Sequence, residues 1–524
     1  GGAAHRRNRG DRQDDQLFRL IVSGTYYRRY QKRIGIICDA VLLDSLASAA
    51  DFVYLSPDSW KDQVETIDLL LAVSTWRGIH DNEWRGVGKV GDPKREKFAA
   101  VIDGCRARGI PTVFYSKEDP PNYGVFLDFA KKCDVVFTSA EEMIPRYRAD
   151  CGHDRVYVLP FCVDPALQNP VGCCPFEQVR GVVFSGSWII KYPFRCRDLG
   201  ALLDGVRKSR RELVIVDRNS YRPGMASYRF PRRFRKYIRP CMPHDELQAF
   251  HKQYEWSINV NSVTTSETMF AGRCYELLAC GCPVISNFSI GMLHRLPEVV
   301  IADSAAFVAK VIRESTPRQM QTRRAAGIRR VMTGETCYDR IAAILRAVGY
   351  DAEVQMRSVA VVVPKRTPSV QTAFDAQTYA NRHLYEESEI TPDIRDSHDY
   401  VISWSPDESY GPYHLQDLVD VFKYTDAEYA VEGDGCYVPT SSPIPGHTVY
   451  RTDVTTPQKG FCIPRSDDTP ESVRAVVDST HEIRAPIERS LASVRPPLWV
   501  RTLACFEDNG FLYTLRRILF GRQY

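Results

Sequence analysis

Short, continuously apolar runs alternate with helical stretches along most of this chain, and that alternation constrains its fold more than any other feature. Residues 33–38, 51–55, 69–73, 111–115, 135–137 and 155–159 read as strands, with helices over 39–50, 94–109 and 125–132. A strand that is apolar at successive positions buries both of its faces. When a helix separates it from the next such strand, the two pair in parallel, because the helix returns the chain to the same end of the sheet. The pattern restarts at 181–184. It continues through strands at 213–216, 256–260, 284–286 and 299–301, and helices over 197–209, 246–254, 273–280 and 304–313. Gly281 and Pro283 supply the stop after the 273–280 helix. Residues 319–348 read as one long helix interrupted by Gly. A third segment has strands at 359–363 and 400–403, a helix over 413–424, a Pro-rich remainder read as loop, and a terminal helix over 511–520.

The expected fold class is α/β: two facing Rossmann-like domains plus a smaller C-terminal α/β domain. The boundaries read as a polar tail and lead-in at 1–32, a first unit at 33–175, a second at 176–350 and an accessory domain at 356–524. Facing doubly wound sheets form a cleft at the carboxyl ends of their strands, where ligands are expected. Composition agrees with a large globular chain. At 44% hydrophobic and 26% charged, the 524 residues are neither fibrous nor disordered. Net charge is only +4, which sets aside a histone-like nucleic-acid binder and makes any basic function local. The 16 cysteines are irregularly spaced, with no Cys-x-x-Cys pair, so they read as small buried hydrophobes in a reducing compartment. No apolar run is long enough for a membrane span, and residues 1–15 lack the apolar core of a signal peptide. The expectation is a cytoplasmic protein, with the inner face of a membrane as the surface its basic segments suit.

Chemistry concentrates at a few strand ends. Residues 269–286 put one carboxylate, Glu276, on an otherwise apolar short helix beside a Gly turn and a buried strand. A carboxylate so placed can accept both hydroxyls of a ribose, and Arg273, one turn earlier, can face the same ligand. Backbone N–H groups just before that helix, around Ser266 and Thr268, can hold a phosphate. Gly186-Ser187-Trp188-Ile189-Ile190-Lys191 follows the first strand of the second unit, and Asp217-Arg218-Asn219 follows the next. Ser187, Lys191, Arg218 and Asn219 are therefore candidates for a diphosphate. In the first unit, Glu118 or Asp119 can remove a hydroxyl proton from an acceptor. His80, in a loop with Trp76 and Trp84, can take that proton, and the indoles can stack on a sugar. Each residue also has a plain reading as turn, solvated charge or surface histidine.

The stretch 275–286, Tyr-Glu-Leu-Leu-Ala-Cys-Gly-Cys-Pro-Val-Ile-Ser, resembles the nucleotide-sugar motif of GT-B glycosyltransferases. Residues from about 33 to 304 resemble the CgeB-like, spore-maturation type group. The supporting segments are Lys117-Glu118-Asp119-Pro120, Gly186-Ser187-Trp188, Lys191-Tyr192-Pro193 and Val216-Asp217-Arg218-Asn219. The resemblance implies a GT-B arrangement and a hexosyl- or pentosyl-transferase. Its donor would be a nucleotide-diphosphate sugar held mainly by the second unit, with Glu276 on the ribose. Its acceptor would be a cell-surface glycan or lipid-linked precursor, and no metal or other cofactor is expected. This chain departs from the familiar pair of Glu residues eight apart: Thr268 stands at the earlier position, beside Glu267.

Two further segments bear on partners. Residues 221–239 interleave Arg222, Arg229, Arg232, Arg233, Arg235, Lys236 and Arg239 with Tyr228, Phe230, Phe234 and Tyr237. That composition suits an anionic polymer or membrane surface, or simply a solvated face, and the near-neutral total charge disfavours nucleic acid. The terminal 511–520 helix suits docking on the core or peripheral membrane contact. The third segment faintly resembles a cut-down GT-A glycosyltransferase through Val361-Val362-Val363-Pro364, Gln377-Thr378-Tyr379 and Ser405-Pro406-Asp407-Glu408. Ser405 stands where an Asp-x-Asp metal site needs its first acid, so a non-catalytic domain is expected there. Two other functions remain open at this point: a sugar-nucleotide epimerase of similar build, and a glycan-binding scaffold without turnover.

Overall fold

In the computed structural model of the protein, residues 24–478 are described, except 81, 180, 221–225, 434–436 and 467. The tail at 1–23, Tyr221 and Arg222 of the basic cluster, and the 511–520 helix lie outside the described residues.

The first lobe is a six-stranded, all-parallel sheet. Its strands are β1 (Tyr30–Ile37), β2 (Ala50–Tyr54), β3 (Leu69–Val73), β4 (Thr112–Ser116), β5 (Val135–Thr138) and β6 (Val156–Val158), in the order β2-β1-β3-β4-β5-β6. β3 shows why the sequence reads as it does. Leu69, Leu71 and Val73 belong to the apolar cluster on one face and Leu70 and Ala72 to that on the other, all with no exposed surface. Each large side chain so buried contributes about 1.5–3 kcal/mol relative to exposure.

The second lobe repeats the plan with β7 (Val182–Gly186), β8 (Leu213–Asp217), β9 (Ile238–Arg239), β10 (Trp256–Asn259), β11 (Val284–Ser286) and β12 (Val300–Ile301), in the order β12-β11-β10-β7-β8-β9. Strand order reverses beside β1 in one sheet and beside β7 in the other. These two switch points are where an open parallel sheet leaves a crevice.

The third lobe is a seven-stranded mixed sheet of β13 (Val359–Val363), β14 (Arg382–Glu386), β15 (Tyr400–Ser403), β16 (Tyr429–Gly433), β17 (Val438–Thr440), β18 (Thr448–Arg451) and β19 (Gly460–Pro464), in the order β14-β13-β15-β18-β16-β19-β17. The region read as loop after residue 424 thus holds four strands. Two of them, β16 and β18, pair antiparallel, and β18 also pairs antiparallel with β15. The helix His414–Tyr424 docks this lobe on the second. Arg329 forks onto Asp417 at 2.7 and 2.6 Å, and the buried Lys423 ammonium donates to the Met332 carbonyl at 2.7 Å and pairs with Asp420 at 2.8 Å.

Helix boundaries moved in two places. The 39–50 helix shortens to Ala40–Asp44. The expected 319–348 helix is two, Pro317–Met332 and Cys337–Ala347, because Thr336 and Asp339 form a reciprocal capping box that starts the second afresh. That second helix packs through Ile341, Ile344 and Leu345 on the first lobe. The chain therefore crosses between lobes twice, and the crossings touch. Val163 donates to the Glu335 carbonyl and accepts from the Cys337 N–H. Arg340 binds the carbonyls of Pro160, Phe161 and Gly334 at 2.9, 2.9 and 3.1 Å, and its guanidinium also pairs with Glu335.

Of the fourteen described cysteines, ten are buried, as small hydrophobes would be. Among the described residues no helix is long and apolar enough to cross a membrane. In the basic cluster, Phe230 and Phe234 enter the core against Trp188, while Arg233 pairs with Asp204 at 3.2 Å.

Replacing Arg340 with Met keeps the volume and leaves three carbonyls and a carboxylate without their donor. Breaking one partner of a buried pair costs roughly 3–5 kcal/mol, so chemical denaturation of Arg340→Met should show a loss of that size. Arg340→Lys should recover only part of it, because an ammonium cannot span the four acceptors.

Candidate functional site

The interlobe cleft is assembled from residues just beyond the carboxyl ends of β1, β3 and β4 on one side and of β7, β8 and β10 on the other. In the first lobe the organiser is Asp39, directly after β1. Its carboxylate accepts from Thr75 Oγ1 at 2.8 Å, from the N–H groups of Trp76, Arg77 and Gly78, and from Lys117 Nζ at 2.8 Å. Burial pushes this carboxyl up, but Lys117 and the converging donors outweigh it and hold it below the ordinary aspartate range. Asp39 thereby fixes the loop that presents Trp76, 37% exposed, and sets Lys117 over the switch point.

The three candidate proton acceptors of this lobe part company. Glu118 accepts from Trp76 Nε1 at 2.7 Å and from Asn122 Nδ2 at 2.9 Å and is only partly buried. Asp119 turns inward and is fully buried, accepting from Thr138 Oγ1 at 2.6 Å. Burial raises its carboxyl to about 6 despite that bond. His80 is exposed, its ring edge-on to Tyr54 at 5.6 Å.

In the second lobe Glu276 sits on the helix Arg273–Ala279, its side chain 15% exposed. Gln248 Nε2 donates to Glu276 Oε2 at 3.4 Å, and His244 Nε2 lies 3.5 Å from the same oxygen. The other ring nitrogen of His244, Nδ1, lies 3.6 Å from Asp44 of the first lobe. One imidazole thus stands between a carboxylate of each lobe. Burial alone would lower its pKa, yet the two carboxylates raise it to about 9. Burial likewise pushes Glu276 up, and His244 with Arg273 brings it below the ordinary range, so it is ionised at neutral pH.

Three guanidinium groups gather nearby. Arg195 is buried and donates to the Ser187 carbonyl at 2.8 Å. Burial and the neighbouring Arg273 lower its pKa to about 10, still protonated at neutral pH. Burial also lowers Arg273, Glu276 opposes that shift, and the field of Arg218 adds to it. Gly186 makes room for this group, since a Cβ there would lie 3.3 Å from Arg273 Nη1. Ser187 Oγ accepts from Asn219 Nδ2 at 2.8 Å, and Asp217 holds the Asn219 N–H at 2.9 Å, so the β7 and β8 turns are tied together. The structure therefore brings together Ser187, Arg218, Asn219, Arg273 and Glu276. Lys191 is exposed on the next turn, 5.4 Å from the Tyr192 ring centroid.

Ser266 and Thr268 do something else. Ser266 Oγ donates to Glu142 at 3.0 Å and accepts from the Met269 N–H at 3.0 Å. Thr268 Oγ1 donates to the Ser139 carbonyl at 2.8 Å and accepts from the Glu141 N–H at 2.9 Å. Their segment stitches the second lobe to the first, and the Thr268 and Met269 N–H groups both donate to Ser266 Oγ. Together with the Asp44–His244 contact, this seam ties the two lobes across the cleft. Sequence reasoning passed over Asp39, Asp44, His244 and Gln248. The one signal for Asp39 was an acid placed directly after the first apolar strand.

Residues 204–346, which carry Arg218, Arg273 and Glu276, match the model of a family described as glycosyl transferase-like. No curated protein matches the chain. Solved structures that align with the chain include an alpha-glucosyltransferase in complex with UDP and a 13-mer DNA containing a HMU base, at 9% identity and TM-score 0.43, covering 61% of this chain and 100% of that one. T4 phage BGT in complex with UDP and Mn2+ aligns at 10% identity and TM-score 0.38, over 60% of this chain and 99% of that one. AviGT4, a glycosyltransferase involved in avilamycin A biosynthesis, aligns at 13% identity and TM-score 0.35, over 60% and 97%. The chain is an α/β protein of two Rossmann-like lobes, each built on a six-stranded parallel sheet, with an added α/β lobe on a mixed sheet.

The His244 bridge gives a pH signature. Its pKa rises from 6.5 to about 9 on folding, so its contribution is complete below pH 6.5 and disappears as pH rises through about 9. The gap corresponds to at most about 3 kcal/mol. Subtracting the stability–pH curve of His244→Gln from that of the wild type should give a difference that falls across this window. A difference that stays flat would disprove the bridge.

Proposed function

We propose that the protein is a glycosyltransferase that moves a hexosyl or pentosyl group from a nucleoside-diphosphate sugar to a hydroxyl of a cell-surface glycan or its lipid-linked precursor. The observation that carries this reading is an ionised carboxylate, Glu276, set in the interlobe cleft beside three clustered guanidinium groups, Arg195, Arg218 and Arg273. Glu276 accepts the two ribose hydroxyls. The guanidinium groups and the Ser187–Asn219 turn receive the diphosphate.

In this reading the acceptor oxygen attacks the anomeric carbon and its proton passes to Glu118. The bond from that carbon to the β-phosphate oxygen breaks, and the nucleoside diphosphate leaves with the bonding pair. Charge develops on the phosphate, and preorganised cations stabilise it more in the transition state than in the ground state. That set supplies the charge by itself, so transfer needs no divalent cation at the donor site. Trp76 offers its face to the acceptor, with its ring nitrogen fixed by Glu118. Arg232, Arg235 and Lys236, exposed beside the buried Phe234, suit an anionic, lipid-linked acceptor.

The test is nucleotide binding by thermal shift and calorimetry across a panel of nucleoside diphosphates. At least one should raise the midpoint of the wild-type protein, since a ligand of the native state stabilises it. Glu276→Gln should weaken that nucleotide about tenfold to a hundredfold, matching the loss of charged hydrogen bonds worth roughly 1.5–3 kcal/mol. Glu118→Gln should bind nucleotide normally and lose turnover. Wild-type protein that binds none of the panel would overturn the reading.

A further inference from the structure

The third lobe contains a cluster that sugar transfer between the first two lobes does not use. His414 opens the helix His414–Tyr424, Glu432 lies in β16, and His447 immediately precedes β18. Their side chains are 1%, 2% and 5% exposed. Each offers one ligand atom, and these atoms all lie within 4.8 Å of one another. We propose that His414, Glu432 and His447 form a binding site for a divalent transition-metal ion, best matched to Zn2+. This proposal is independent of the reading of the interlobe cleft.

Hydrogen bonding alone does not satisfy the cluster. His414 Nδ1 meets Glu432 Oε2 at 2.7 Å, which accounts for one atom of each. His414 Nε2, Glu432 Oε1 and His447 Nδ1 remain buried with no hydrogen-bond partner. Three orphaned polar atoms on three touching residues are costly to bury, and a bound ion is one of the few things that repays such a cost. The surroundings also have the form a metal site needs. His447 Nε2 lies 3.4 Å from Glu408 Oε2, which fixes the proton on that nitrogen and leaves Nδ1 with its lone pair toward Glu432, 3.8 Å away. A histidine held from behind by a carboxylate is the usual support of a metal ligand. Arg465, 3.7 Å from Glu408, anchors that carboxylate in turn. Trp404 and Tyr410, stacked at 4.2 Å, form an apolar wall beside His414.

The donor set selects the ion. Two imidazoles and one carboxylate suit Zn2+ with an open fourth position, whereas Mg2+ and Ca2+ want oxygen ligands. Tetrahedral ligation at about 2.0–2.1 Å places donors roughly 3.3 Å apart, so the ion would draw the widest pair in by at most about 1.5 Å. A surface cavity of about 500 Å³ is lined in part by Glu408 and Tyr410, the neighbours of His447 and His414. The site is not the Asp-x-Asp arrangement sought at Ser405–Asp407. Asp407 is exposed and contributes nothing to the cluster. A bound ion would cross-link a helix start, a central strand and a loop.

The experiment uses the full chain, stripped with chelator under reducing conditions and titrated with ZnCl2 or MgCl2. One equivalent of Zn2+ should bind by elemental analysis and raise the thermal midpoint, while Mg2+ leaves it unchanged. Glu408→Gln, which removes only the support, should weaken Zn2+ about 10–100-fold. His447→Gln should abolish the shift, and Asp407→Ala should leave it intact. The buried cysteines are separated by Co2+ substitution in the wild type, which needs no variant to fold. Tetrahedral ligand-field bands without intense thiolate charge-transfer absorption support the site. Thiolate bands, no stoichiometric binding, or a Zn2+ shift that survives both His447→Gln and Glu408→Gln would each overturn it.

Discussion

The cleft exists because the chain passes between the first two lobes twice and the two passages are bonded to each other. Arg340 gathers three carbonyls and a carboxylate from both passages, and the Val163 bridge adds the backbone contacts. A single linker would leave two parallel sheets to orient freely. Two linkers tied together, with the Ser266–Thr268 seam, hold the lobes in one relative orientation. Residues far apart in sequence, such as Asp44 and His244, meet only because of this constraint. The same constraint explains why the seam at Ser266 and Thr268 spends its hydroxyls on the opposite lobe.

Charge is distributed between the lobes in a way that follows from their turns. The second lobe places Arg195, Arg218 and Arg273 around one carboxylate, a local excess of positive charge that favours a polyanion. The first lobe spends its main acid, Asp39, on internal loop geometry and pairs it with Lys117. What remains available on that side is Glu118 with an exposed indole. Under the proposed function, this asymmetry puts the anionic part of the donor against the second lobe and the hydroxyl-bearing acceptor against the first. A net charge of +4 for the whole chain conceals it.

Much of the fold could be read from residues because burial on both faces allows only apolar side chains. Strands 69–73, 284–286, 359–363 and 400–403 lie where their runs place them. β14 escaped because an edge strand reading Arg-His-Leu-Tyr-Glu has no apolar run. β16 escaped because Glu432 interrupts it, and that acid sits in the core only because two histidines meet it there. The break between Pro317–Met332 and Cys337–Ala347 is set by the Thr336–Asp339 capping box, a local signal outvoted by the length of the helical pattern. Of the two glycines in that stretch, Gly334 lies in the break, and Gly327 lies inside the first helix, where a Cβ would be 2.9 Å from Leu278. In the site, Glu276 and Arg273 were legible because their motif is contiguous. His244, Asp44 and Asp39 were not, because folding alone delivers them.

The run Lys117-Glu118-Asp119 shows where reading by residue type stops and geometry takes over. The three are consecutive and charged, at the end of one strand, and a sequence treats the two acids as equivalent. Leaving β4, the chain sends Lys117 to Asp39, Glu118 to Trp76 and Asn122, and Asp119 down beside Thr138. Asp119 then has a carboxyl raised to about 6, the value commonly sought in a general base. Burial produces that value, and the same burial removes the acid from any substrate. Glu118 is only partly buried. A proton acceptor needs both an accessible lone pair and a suitable affinity, and affinity can be adjusted by bound substrate whereas access cannot. Access is therefore the stronger criterion, and under the proposed function it favours Glu118 over Asp119.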